Sequence, residues 1–168
     1  ITAATLNKRE QKIIVGTDDG RFSIISPNYT STESSGSQII QIDPQAEAAI
    51  PLGLPNVPIE DIAYGDSGTS KLVVVLQTLD GKPNLSAAVF KRKKTLMGFG
   101  KEQRVGTYDP TPLISGRPTK ILVPGSGDAV LILTDDGRVH YLGLSESGFE
   151  LRQTFTPFED LPDRHILS

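Results

Sequence analysis

The chain has 168 residues, a net charge of −3, 37% hydrophobic and 22% charged content, and no cysteine. That length supports one ordinary domain with a real core, and the composition fits a globular domain rather than a disordered tail. The charge leaves no electrostatic footprint of nucleic-acid binding, and without thiols there are no disulfides and no cysteine-based zinc sites.

The longest apolar runs, Leu72–Leu76 and Ala129–Leu133, fall far short of the ~20 residues of a membrane span. No signal peptide is legible. The first residue is Ile1 rather than Met, which reads as an excerpt of a longer protein.

In chain order, the first unit offers strands at "ITAATLN" (Ile1–Asn7), "KIIVGT" (Lys12–Thr17), "RFSIIS" (Arg21–Ser26) and "SQIIQID" (Ser37–Asp43). The phrase "TDDG" joins the second to the third. Asp-Gly between two apolar runs is a strong hairpin signal, because tight hairpin turns often need positive φ. After the turn, Phe22 and Ile24 share one face, the period-two alternation of a half-buried strand. Only "PQAEAAI" (Pro44–Ile50) could form a helical turn, and it is too short to matter.

A Pro- and Gly-rich linker, "PLGLPNVP" (Pro51–Pro58), leads to a second unit. Its strands are "VPIEDIAYG" (Val57–Gly65), "KLVVVLQ" (Lys71–Gln77), "LSAAVFK" (Leu85–Lys91) and "EQRVGTY" (Glu102–Tyr108), with "TLDG" as its turn. A second linker, "DPTPLISGRP" (Asp109–Pro118), opens the third unit: "TKILVPG" (Thr119–Gly125), "AVLILT" (Ala129–Thr134), "RVHYLGL" (Arg138–Leu144) and "FELRQTF" (Phe149–Phe155). "TDDGR" occurs at Thr17–Arg21 and again at Thr134–Arg138, with the degenerate copy between them. A unit of roughly 60 residues thus recurs three times, a period that suggests a propeller or another stacked array.

The predicted fold is all-β and β-propeller-like: about three four-stranded antiparallel blades in a single domain, 1–168, with blades at roughly 1–50, 51–109 and 110–160. "LPDRHILS" (Leu161–Ser168) reads as the first strand of a further blade. A blade buries both faces against neighbours, so three in a row leave both ends open. Closed propellers have about four to eight blades. Either a parent protein supplies more blades, or two copies complete a six-bladed homodimer.

The one charge anomaly is "KRKKTLMGFGKEQR" (Lys91–Arg104). Lys91, Arg92, Lys93, Lys94, Lys101 and Arg104 surround Leu96, Met97 and Phe99, with Glu102 the sole acid. It is expected as a long loop between the last two strands of the middle blade. The plain reading is a solvated hairpin tip. The functional reading is a surface that meets a protein partner or an anionic bilayer, or, less in keeping with the net charge, RNA.

Other motifs carry less. "GFGKEQ" (Gly98–Gln103) fails as a phosphate loop, because Glu102 stands where a Ser or Thr belongs and no helix follows. Asp18, Asp19, Asp135 and Asp136 are turn formers rather than a calcium loop. His140 and His165 lack ligand spacing, and His140 reads as a satisfied surface or inter-blade residue. No nucleophile, base and orienter set is legible, so no enzyme, cofactor or metal is assigned. "NYT" (Asn28–Thr30) and "NLS" (Asn84–Ser86) match the glycosylation acceptor pattern.

The pattern resembles WD40-type propellers, although there is no tryptophan and hence no Trp-Asp signature. "ILTDDGRVHYLGLSESGFELRQTFTPFEDLPDRHILS" (Ile132–Ser168) resembles part of the large extracytoplasmic insertion in long-form permease subunits of phosphate-specific ABC transporters. That resemblance implies a non-catalytic domain on the periplasmic side of the inner membrane, tethered through spans outside this chain. The partners it implies are transporter subunits or the phosphate-binding protein. The alternatives are an unrelated protein-binding propeller scaffold and a fragment of a propeller enzyme.

Overall fold

A computed structural model describes residues 1–34, 37–95 and 98–157; the side chains of residues 34, 37, 92–95 and 98–102 are outside that description. The described chain forms three antiparallel sheets, each built from strands consecutive in sequence. The first holds β1 (Ala3–Asn7), β2 (Lys12–Gly16), β3 (Arg21–Ser34) and β4 (Ser37–Ala46), with a two-residue β5 (Ile50–Pro51) also on β3. The second holds β6 (Ile59–Asp66), β7 (Ser70–Leu79), β8 (Lys82–Thr95) and β9 (Gly98–Tyr108). The third holds β10 (Pro118–Leu122), β11 (Ala129–Thr134), β12 (Val139–Ser145) and β13 (Gly148–Phe155). The fold is all-β and blade-like, a partial propeller. The described residues include no α-helix, only a 3-10 turn at Thr111–Leu113. Pro44–Ile50 is strand and open loop rather than a helical turn. The predicted start of a further blade, Leu161–Ser168, lies outside the described residues.

The sheets stack because their strands alternate. Ile14, Phe22 and Ile24 of the first sheet pack on Ile59, Val73, Val75 and Phe90 of the second. The opposite face of the second sheet, with Leu72, Val74, Leu85 and Val89, packs on Ile121, Val130, Ile132 and Leu142 of the third. β7 is buried on both faces, which explains its unbroken run Leu72–Leu76. Each such side chain contributes roughly 1.5–3 kcal/mol by leaving water. The middle blade therefore serves as the core for both neighbours.

The repeat extends to its irregularities. β6 bulges between Ile59 and Asp61, and β10 between Pro118 and Lys120. In each the extra residue falls one step into the blade's innermost strand, a repeated re-aiming of the chain. The turns differ more than their spelling suggests. In both "TDDGR" copies the Thr N–H donates to the Arg carbonyl (2.9 Å in each). The three residues between them end on glycine at φ 78° (Gly20) and 79° (Gly137), a hairpin turn with one left-handed residue. In the middle blade Leu79 pairs with Lys82, so Asp80 (φ 51°) and Gly81 (φ 74°) form a two-residue turn with both residues left-handed. The bulge registers align Gln77, rather than Thr78, with Thr134. The middle hairpin is thus longer than the other two.

Polar side chains at the seams hold the linkers. Gln77 is fully buried; it accepts from Leu54 N (2.7 Å) and donates to Leu54 O (2.9 Å) and Val57 O (2.7 Å). His140, also buried, places Nε2 2.9 Å from Ser115 O and Nδ1 3.1 Å from Thr154 Oγ1. A carbonyl only accepts, so Nε2 carries the proton. Asp61 receives Lys120 Nζ (2.6 Å) and Ile121 N (2.9 Å) from the next blade.

Two ribbons leave this frame. β2 ends its pairing at Ile13↔Ile25, whereas β3 and β4 pair on to Ser34↔Ser37. β7 ends at Ser70↔Lys91, whereas β8 and β9 pair on to Thr95↔Gly98. Residues 91–95 and 98–104 of the basic stretch therefore lie in ribbon strands rather than in the expected loop. The first ribbon rises from "NYTST…QIIQI", whose Thr, Tyr and Ile favour extended chain. Lys12 and Glu47 of the first blade line one cleft with Lys71 and Arg104 of the second, so both ribbons spring from the same end of the stack.

Candidate functional site

Among the described residues, the outer blades each pack one face and leave the other bare. On the first blade the cross-strand pairs Ala4↔Val15, Leu6↔Ile13 and Ile13↔Ile25 place these residues on one face. Their sequence neighbours Ile14 and Ile24 point the other way, into the core. Leu6 is 54% exposed and Ile13 41%. On the third blade the rows Leu122–Leu131–Tyr141 and Lys120–Leu133–Val139–Phe155 form the bare face. Leu122 is 56% exposed, Leu133 37% and Phe155 41%. Strands apolar on both faces belong between two layers, and contiguous bare apolar surface marks a site of association.

The innermost strands β1, β6 and β10 lie side by side along a groove of about 520 Å³, where the axis of a complete ring would pass.

The predicted basic cluster is distributed along the second ribbon. Lys91 is exposed at its base, paired with Ser70. Arg104, across the ribbon base, donates from Nη2 to Pro51 O (2.8 Å) and lies 5.7 Å from the Phe90 ring centroid. The backbone sets Arg92 opposite Glu102 and Lys94 opposite Phe99, with the Lys93 position in a register shift. The side chains of Arg92, Lys93, Lys94, Phe99 and Lys101 are outside the described set, and Leu96 lies outside the described residues. Of the first ribbon, sequence reasoning placed the strand Ser37–Asp43 but ended its partner at Ser26, eight residues short of the observed Ser34. The ribbon exposes Tyr29, Ile39, Ile40 and Ile42, and its only signal was the β-branched content of residues 29–42.

The turn acids behave as turn formers. The Thr17 hydroxyl donates to Asp19 and the Thr134 hydroxyl to Asp136 (2.6 Å in the latter). These bonds hold both carboxyls below the usual carboxylate range, opposed by slight desolvation and helped by the charges of Arg21 and Arg138. Asp135 accepts from Arg117 N (3.0 Å) and returns its own N–H to Arg117 O (2.8 Å). Among the described residues no group of three or more His, Asp or Glu could hold a metal ion. No helix among them is long and apolar enough to cross a membrane. His165 lies outside the described residues. No protein-family model matches the chain, and no curated protein matches it.

Proposed function

We propose that this chain is a non-catalytic interaction module, an arc of propeller blades whose end faces take up further blades. One observation carries the reading: among the described residues, both ends of the stack present strand-matched apolar rows, Leu6–Ile13–Ile25 and Leu122–Leu131–Tyr141, in which Leu6, Ile13 and Leu122 are exposed. The resemblance of Ile132–Ser168 to long-form phosphate permease insertions supports a finer setting. In it the module stands on the periplasmic side of the inner membrane and meets transporter subunits or the phosphate-binding protein. No step of transport is assigned to a residue of this chain. The basic ribbon, Lys91–Arg104, is its partner- or lipid-facing projection.

A second reading is supported by the two ends being different surfaces. Head-to-tail contacts between unlike faces can close into a ring, and two arcs of three blades fall within the range of about four to eight for closed propellers.

Hydroxyl-radical footprinting with light scattering tests both. In the full-length gene product, Leu122, Leu133 and Phe155 are expected to be protected. In this chain alone they are expected to react freely if it is a monomer, and to be protected if it is a dimer. Equal, high reactivity in the full-length protein and in a monomeric chain would overturn the module reading. The transporter setting fails separately if the full-length gene encodes no membrane-spanning helices beside this segment.

A further inference from the structure

The first ribbon has one apolar side, and that side continues a surface of the first blade. Its cross-strand pairs run Ile25↔Ala46, Pro27↔Pro44, Tyr29↔Ile42 and Ser31↔Ile40. These eight residues share the side on which Leu6 and Ile13 lie, and none of the eight is charged. Tyr29, Ile40 and Ile42 are each more than half exposed. The opposite side carries Asn28↔Asp43, Thr30↔Gln41 and Thr32↔Ile39, polar but for Ile39.

The second blade shows what that side of a ribbon meets. Its pairs Val73↔Ala88 and Phe90↔Arg104 lie on the side that packs on the first blade. At the ribbon base the Phe90 ring meets Phe22 edge-on at 6.1 Å, and Arg104 Nη2 donates to Pro51 O at 2.8 Å. The base of the second ribbon thus reaches back over the outer strands of the blade before it. Ile13 and Val73 each stand four residues before the aligned turn residues Thr17 and Gln77, so Ile13↔Ile25 repeats Val73↔Ala88. Pro27 and Pro44 of the first ribbon then hold the places of Phe90 and Arg104, and Tyr29 and Ile42 come one pair further out.

We propose that the first ribbon is a clamp that closes over the third blade of a second copy of this chain. The third blade offers the matching surface. Its pairs Leu131↔Tyr141 and Val139↔Phe155 hold the places of Ile14↔Ile24 and Phe22↔Ile50, the set by which the first blade packs on the second. All four are apolar, and Phe155 is exposed. Docked in the register of that internal seam, the third blade brings Val139 and Phe155 under the base of the first ribbon, beside Tyr29 and Ile42. A charge-free apolar strip suits a lasting contact between copies better than a steered encounter with a charged partner. The inference rests on the reading of the end faces as blade-docking surfaces and commits the first face to one occupant.

The chain has no cysteine, so Ser31→Cys accepts a single nitroxide. Mixed with an isotope-labelled unmodified chain, it is expected to broaden the amides of Val139, Gln153 and Phe155 in the labelled copy. Ile40→Ser with Ile42→Ser, at exposed positions, should raise the dissociation constant of the pair at least tenfold by sedimentation, with Tm unchanged. Broadening at Tyr29 and Ile42 instead, which means first blades back to back, would overturn the clamp. So would a monomer without broadening, or a double variant that associates as the parent does. Footprinting separates this from the module reading: Leu122 and Phe155 protected in the full-length gene product, while this chain stays monomeric, removes the second copy and leaves the module standing.

Discussion

Replacing Gln77 by leucine should loosen the grip of the second blade on the linker that leads into it. The change nearly conserves volume, so it removes hydrogen bonds without opening a cavity. It leaves Leu54 N, Leu54 O and Val57 O without the partners they have at 2.7–2.9 Å. An orphaned buried group costs about 1–3 kcal/mol. Val57 is buried, but Leu54 is only half-buried, and water can satisfy part of the loss. The sum is about 2–4 kcal/mol. At roughly 2–4 °C per kcal/mol for a domain of this size, Tm should fall by about 5–15 °C.

Urea unfolding followed by far-UV circular dichroism measures the cost. Hydrogen exchange at the Leu54 amide locates it, because that amide should lose protection before the strand amides of β7. Gly53→Ala strikes the same clasp from the other side. Its Cβ would lie 2.1 Å from Gln77 Oε1, at a backbone φ of +87°. The two variants should therefore be non-additive, as coupled sites are. A Gln77→Leu protein within about 0.5 kcal/mol of the parent, the range of an ordinary surface change, would refute the claim that this side chain fastens the blades.

Asp61→Ala removes the acceptor for Lys120 Nζ and Ile121 N and should cost about 1–3 kcal/mol. Lys120→Ala should cost under about 1 kcal/mol, because the lysine is half-exposed; a double-mutant cycle in urea checks both. Stability should also fall in acid. Asp19 and Asp136 have folded pKa values below their unfolded ones, so the fold binds protons less readily there. Their contribution is complete above the unfolded carboxylate pKa of about 4 and is lost as pH falls below it. Asp19→Asn with Asp136→Asn should flatten that limb of a stability-against-pH curve and leave neutral-pH stability less dependent on the turns.

The blade plan was legible because period-two alternation and Asp-Gly turns are local signals. "AVLIL" entering "TDDG" and "RVHYL" leaving it state a hairpin outright. Less legible was what depends on pairing over distance. The Asp-Gly of "TLDG" does signal the tight turn across which Leu79 pairs with Lys82, but nothing in the sequence says that Gln77 reaches back to Leu54 and Val57. The ribbons were read only in part: strands were expected at Ser37–Asp43 and Glu102–Tyr108, but their partner strands were ended at Ser26 and Lys91. Stretches such as "NYTST" and "KRKKT" carry no period-two apolar alternation to read. The inter-blade cleft was invisible, since Lys12, Lys71 and Arg104 are brought together only by stacking. His140 could be placed on the far side of its strand by parity alone, but its bond to Ser115 O could not.

If further blades close the arc as proposed, linker fastening distinguishes its two ends. Each linker is gripped by the blade downstream of it: residues 54 and 57 by Gln77, Ser115 by His140, and Arg117 by Asp135. The first linker is also held by the blade before it, through Leu52 N to Gly20 O (3.2 Å) and Asn56 N to Asp19 O (3.0 Å), so a blade docking on the bare third blade would have to bring the downstream half of the grip. The first blade already carries one, for Asp18 occupies the place in its "TDDGR" turn that Asp135 holds in the third, and it is exposed. Asp135→Ala should cost about 1 kcal/mol of the chain's own stability through the loss of the Arg117 N bond. Asp18→Ala should leave the stability of the isolated chain unchanged. It should weaken association with whatever closes onto the first blade, measured as a higher dissociation constant by sedimentation of the chain or by loss of Leu6 and Ile13 footprint protection in the full-length protein. If Asp18→Ala instead destabilises the monomer while leaving association and protection intact, the equivalence of the two turns is structural only, and the first blade is no better prepared for a partner than the third.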